Sequence, residues 1–175
     1  MDHDQTPGGV AFVRDDHAQF FYTIPDGWHR VTEETGGSGP TSAIASTDAD
    51  DPDEQRKASV LAGVMRDLPG GSDDLAQAAL FLARGWAQLS DSKANAVYSE
   101  ETSRSFTIDG HPAATASLRA DFPESDSGSL YLRMTIVEVV ETYFSYLAGT
   151  AHPEAVDLRA AIDGVHQDLI VVMGS

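Results

Sequence analysis

Six histidines, His3, His17, His29, His111, His152 and His166, are the first candidates for metal chemistry in a chain that has no cysteine. None has a second histidine three or four residues away, the helical spacing that sets two imidazoles on one ion. They therefore read as surface or turn residues, and no metal site is expected. Asp48, Asp50, Asp51, Asp53 and Glu54 could offer calcium several oxygens. Pro52 stands at the fifth position of that run, however, and Asp53 at the sixth, where an EF-hand loop turns on glycine. A solvated acidic loop is the simpler reading. Gly36-Gly37-Ser38-Gly39 has neither the Lys-Ser/Thr ending of a phosphate-binding loop nor the third glycine of a dinucleotide fingerprint, so no cofactor is expected. A Gly-x-Ser-x-Gly nucleophile elbow is also missing. With 28 acidic residues, some carboxylates must meet by chance, and such a pair would carry no information about catalysis. No catalytic residue is assigned.

Most of the aromatic residues Phe20, Phe21, Tyr22, Trp28, Phe81 and Trp86 fall on faces that periodicity assigns to burial, so the set reads as core and not as a ligand cage. Tyr131, Tyr143 and Tyr146 are the candidate binding surface. They would form one if their strands line an open sheet face, and would otherwise pack beneath a helix.

The elements that must position these side chains follow from period and punctuation. Residues 1–18 read as a flexible leader able to add a short first strand, 19–172 as a single domain and 173–175 as a tail. Phe20, Tyr22 and Ile24 alternate with Phe21 and Thr23 as a strand that Pro25-Asp26-Gly27 ends. A weak strand is expected at 41–47. The mostly apolar stretch 58–65 predicts a central strand covered on both faces. Ser72 could cap a helix carrying Asp73 and Asp74 in its first turn, with Leu75, Ala79, Leu82, Trp86 and Leu89 as its buried stripe. Asp109-Gly110 predicts a tight hairpin joining 97–108 to 112–122. Two more strands, around 130–136 and 143–149, would complete a meander. His152-Pro153 would open a closing helix, buried through Leu158, Ile162, Val165 and Leu169. Helices separated from a run of antiparallel strands imply an α+β layered domain.

The formal charge is −17, from 11 basic against 28 acidic residues. So few cations exclude a nucleic-acid partner and an anionic lipid surface, and the acidic balance favours a basic or neutral partner. No apolar run approaches the length of a membrane span. Asp2, His3 and Asp4 after Met1 form neither a basic nor an apolar signal region. The expected compartment is the cytoplasm, or an extracytoplasmic one if a signal or anchor has been removed ahead of Met1.

The run Phe20-Phe21-Tyr22-Thr23-Ile24-Pro25-Asp26-Gly27-Trp28 resembles the aromatic strand and Pro-x-Gly-Trp entry of the PsbP-like superfamily. The mid-chain helix near 73–90, the Asp109-Gly110-His111-Pro112-Ala113 hairpin, the meander and the closing helix extend the resemblance over 19–170. It implies an α/β/α sandwich around a mostly antiparallel sheet. That superfamily includes the photosystem II P subunit, a Ran-binding nuclear import factor and bacterial lipoproteins of the LpqN type. The resemblance implies a non-enzymatic binding or assembly domain, of the bacterial cell envelope for the lipoprotein branch, and transfers no catalytic residue. Two other readings stand beside it. One is a cytosolic acidic secretion or assembly chaperone, expected as a dimer. The other is a hydrolase with dispersed carboxylates, which would need a deep pocket and a raised carboxyl pKa.

Overall fold

The computed structural model of the chain describes residues 11–31, 40–46, 58–66, 68, 74–90, 95–124, 128–141 and 143–172. The acidic loop at 48–54 and the glycine-rich loop at 36–39 lie outside the described residues. In chain order the elements are β1 (Phe12–Asp15), β2 (Phe20–Thr23), β3 (Trp28–Arg30), β4 (Ser42–Ser46), β5 (Ala58–Met65), α1 (Leu75–Ser90), β6 (Val97–Ile108), β7 (His111–Phe122), β8 (Gly128–Val140), β9 (Tyr143–Ala151), α2 (Val156–Gln167) and β10 (Ile170–Val171).

Seven strands form one antiparallel sheet in the order β3-β4-β5-β9-β8-β7-β6. Its larger half is the expected meander, β6 to β9, each strand pairing with the next. Asp109 and Gly110 both take positive φ, 51° and 85°, which a two-residue turn requires if its twist is to match the strands it joins. Alternation then sorts the side chains. Leu132, Met134 and Ile136 face α1, while Tyr131, Thr135 and Val137 face the other way.

Each face is closed differently. Over the first, α1 buries Ala78, Ala79, Ala83 and Ala87 against Ala114, Ala116, Leu118 and Ala120. The seam is therefore made of alanines and not the expected large residues. Leu75, Leu82 and Trp86 are half-buried at its flanks, while Leu89 and Phe81 are 78% and 60% exposed. Small side chains on both surfaces let helix and sheet approach closely, which a row of leucines would prevent. Ser72, the expected cap, and Asp73 lie outside the described residues. Asp74 lies just before the helix, and its Oδ1 accepts from the backbone N–H groups of Ala76 and Gln77 at 3.0 and 3.3 Å. Over the second face lie α2 and a small three-stranded sheet, β1-β2-β10, sharing one core built on Val13, Phe20, Tyr22, Ile44, Val60, Leu147, Ile162 and Val165.

The sequence reading allowed a short first strand and predicted β2, but not their pairing with β10 as a separate sheet. Part of it comes from the stretch expected as a leader, where Val13 is fully buried and Asp15 nearly so. Asp15 ties this layer to the large sheet. Its carboxylate accepts from the backbone of His17 and Ala18, from the Thr41 hydroxyl and from Ser42 Oγ at 2.6 Å. The closing helix begins at Val156, after a turn through Pro153 and Glu154, not at Pro153 itself. Layer by layer this is an α/β/α sandwich.

Candidate functional site

α2 covers only part of the second face. At Gly149 on β9 the approach is close: a Cβ added there would lie 2.5 Å from Ile162 Cγ2. From that contact toward β6 the sheet surface is left open, and a groove of about 500 Å³ runs between α2 and the β6–β8 strands. Thr102 and Arg104 come from β6, Thr115 and Ser117 from β7, Tyr131 and Arg133 from β8, and Arg159, Asp163 and Gln167 from α2. The strand residues among them alternate onto this face by their cross-strand register, since Arg104 pairs with Thr115, Thr115 with Thr135 and Ser117 with Arg133.

A connected polar network floors the groove. Arg133 donates from Nη1 to Asp163 Oδ1 at 3.1 Å and from Nε to Thr115 Oγ1 at 3.2 Å. The Tyr131 hydroxyl donates to the same Asp163 oxygen at 2.6 Å, and burial with that carboxylate pushes its pKa well up, so the phenol stays protonated. Thr135 donates to Thr115 at 3.0 Å and meets His166 Nδ1 at 2.6 Å. His166 is only 4% exposed, in contrast to the surface or turn position expected of it. Burial and then the Arg133 charge hold its pKa well below 6.5, so the ring is neutral. Its Nε2 is buried without a hydrogen-bond partner.

The three candidate tyrosines are not brought together. Tyr131 lies in the groove, and the Arg159 guanidinium sits 4.3 Å over its ring. Tyr143 is half-buried against the core of the same face. Tyr146 points to the opposite face, 5.6 Å from the Trp86 ring and directly over Gly63. Sequence reasoning missed Arg104, Arg133, Arg159 and Asp163 as groove residues. The signal was present in the unusual Tyr131-x-Arg133-x-Thr135 face of an otherwise apolar strand, where polar residues recur at period two.

At the outer edge, β6 carries a bulge between Ser99 and Thr102, with Glu100 at φ 52°. Arg84 of α1 clamps this edge by a two-pronged ion pair with Glu101, one arm at 2.9 Å. Among the described residues, no group of three or more His, Asp or Glu side chains is placed to hold a metal ion.

The layering and connectivity are those of the PsbP-like α/β/α sandwich. The particular proteins that share it include cyanobacterial PsbP (CyanoP) from Synechocystis sp. PCC 6803, with a TM-score of 0.66 at 10% identity, covering 98% of this chain and 97% of that one. The Ran-binding protein Mog1p of Saccharomyces cerevisiae matches with a TM-score of 0.61 at 10% identity over 94% and 96% of the two chains. A Mog1 point variant gives 0.62 at 9% identity over the same shares. At such identities the fold is what is shared. No protein-family model matches the sequence, and no curated protein does.

Proposed function

We propose that the chain is a non-catalytic binding or assembly domain that receives a protein or small ligand in the groove between α2 and the β6–β8 face. The observation that carries this reading is the groove itself, an open surface of about 500 Å³ whose side chains are held in place by one another. Arg133, Asp163, Tyr131 and Thr115 are committed to mutual contacts, and the adjacent imidazole has one nitrogen engaged and the other buried. That arrangement presents fixed donors and acceptors rather than a group poised to take a proton. The likeness in fold to the Ran-binding protein Mog1p supports a partner-binding role, although fold alone does not assign one.

The resemblance to LpqN-type lipoproteins supports a place in the bacterial cell envelope, which the upstream coding sequence of the native gene tests directly. A photocrosslinking residue at exposed Gln167, in the groove, should capture a defined partner or ligand in native cells, whereas one at exposed Gln77, on α1, should not. A turnover activity abolished by one groove substitution would overturn the reading. A second reading, an acidic assembly chaperone, draws on exposed Phe81 and Leu89 on α1. It requires a dimer by light scattering.

A further inference from the structure

The meander ends on an open edge. β6 pairs with β7 on one side and, among the described residues, with no strand on the other, whereas the opposite edge of the sheet is β3, a strand of only 3 residues. An unpaired strand turns alternate backbone N–H and C=O groups outward and is a template for another strand. Folded chains blunt such edges with bulges and charges. β6 does so only in its first half, where the bulge between Ser99 and Thr102, Glu100 at φ 52° and Glu101 interrupt the ladder. From Thr102 to Ile108 the pairing with β7 is regular, and the run holds no acid, proline or lysine in a chain with 28 acids. Thr102, Ser103, Arg104, Ser105 and Thr107 are exposed, and Phe106 is half-buried.

This run complements itself when reversed. The bulge bounds it at one end and the Asp109-Gly110 turn at the other, so its midpoint is Ser105. Antiparallel pairing with a second copy about that midpoint sets Ser105 opposite Ser105, Arg104 opposite Phe106, Ser103 opposite Thr107 and Thr102 opposite Ile108. Hydroxyls meet hydroxyls, a cation meets an aromatic ring, and no like charges are opposed. Within one chain the Arg104 guanidinium already lies 5.4 Å over the Phe106 ring. Centring on Arg104 instead would oppose two guanidiniums, and centring on Ser103 would draw in the bulge and its glutamates. Charge also favours a second copy over a foreign basic strand. Two bodies at −17 repel, so a contact between copies needs a surface free of acids, while a basic strand would be held where the acids are.

We infer that the chain forms a twofold dimer through β6, in which Thr102–Ile108 pairs antiparallel with the same run of a second copy about Ser105 and joins the two seven-stranded sheets into one. The dimer goes beyond the groove reading and stands without it. It would nevertheless add a wall there: Arg104 lines both the groove and a smaller cavity of about 300 Å³ beside Phe106 and Ile108, and the partner's Phe106 lies opposite Arg104.

One edge pairing buries less than a standard interface, so a Kd of about 10–100 µM is expected. Sedimentation equilibrium of the full chain should show monomer at about 1 µM and dimer at about 0.5 mM. The dimer should strengthen as NaCl rises from about 0.01 to 0.5 M, because salt screens the repulsion between copies. Ser105→Lys and Ser105→Glu, at an exposed position, should each remove the dimer while the thermal melt stays cooperative, and their equimolar mixture should restore it. Directly opposed residues lie within disulfide reach, and the chain has no cysteine of its own. Ser105→Cys should therefore give a disulfide-linked dimer under mild oxidation. Ser103→Cys alone should not, but mixed with Thr107→Cys it should. Phe81→Ser, on the exposed face of α1, should leave the dimer intact. Monomer at about 0.5 mM in both salts, a dimer that weakens with salt, indifference to the Ser105 charges, no restoration on mixing, crosslinking of Ser103→Cys equal to that of Ser105→Cys, or loss with Phe81→Ser would each overturn the inference.

Discussion

His166 shows how one side chain couples the groove to stability. It is held neutral by burial and by the Arg133 charge, so the native state declines a proton that the unfolded chain accepts near pH 6.5. A lowered pKa in the folded state therefore gives its full stability above pH 6.5, and that stability is lost as pH falls below it. The expected outcome is a decline in unfolding free energy between about pH 6.5 and 5, with a slope approaching one proton. Replacing His166 with Leu should flatten that slope even if it lowers stability at pH 7. Denaturant melts across this window decide it, and an unchanged slope in the variant would sink the assignment. Asp15 illustrates the opposite case, a buried carboxylate whose oxygens accept from four surrounding donors.

At the level of elements, the decisive contact is between α2 and β9. Gly149 leaves the space that Ile162 fills, and an added methyl would lie 2.5 Å from Ile162 Cγ2. Gly149→Ala should cost about 1–3 kcal/mol by overpacking, or roughly 2–4 °C of Tm per kcal/mol in a chain of this size. Truncating Ile162 to Ala in the same chain should recover part of that cost, a coupling that a double-mutant cycle measures. Gly85 is the internal control. It sits in α1 with nothing within 4 Å of an added Cβ, so Gly85→Ala should stabilise by about 0.5–1 kcal/mol. Equal destabilisation by both alanines would mean that the α2 contact does not set the cost at Gly149.

For the molecule as a whole the formal charge is −17, whereas the groove lining sets Arg104, Arg133 and Arg159 against Glu100 and Asp163. Like charges on a compact body repel one another, and salt screens that repulsion. Raising NaCl from about 0.01 to 0.5 M should therefore raise the Tm. The exposed pairs Arg14–Asp16 and Arg84–Glu101 weaken under the same conditions, but each contributes at most about 1 kcal/mol. A flat or falling Tm would mean that the acids are balanced locally.

Local chemistry was enough to read the meander, the Asp109-Gly110 turn and the two helices, because strand alternation, turn dihedrals and helical period are set by near neighbours. It also carried the layered fold class and the PsbP-like resemblance. It failed where a distant segment decides the outcome. Val13 and Asp15 look like a polar leader until β2 and β4 close around them, and Leu89 completes a helical stripe that the alanine seam leaves in solvent. His166 follows Val165 and stands four residues after Ile162 on the buried side of α2, where Thr135 of β8 meets its ring. The groove belongs to the same class. Arg104, Arg133, Arg159 and Asp163 are spread over 60 positions, and only antiparallel register and the seating of α2 on Gly149 bring them to one surface.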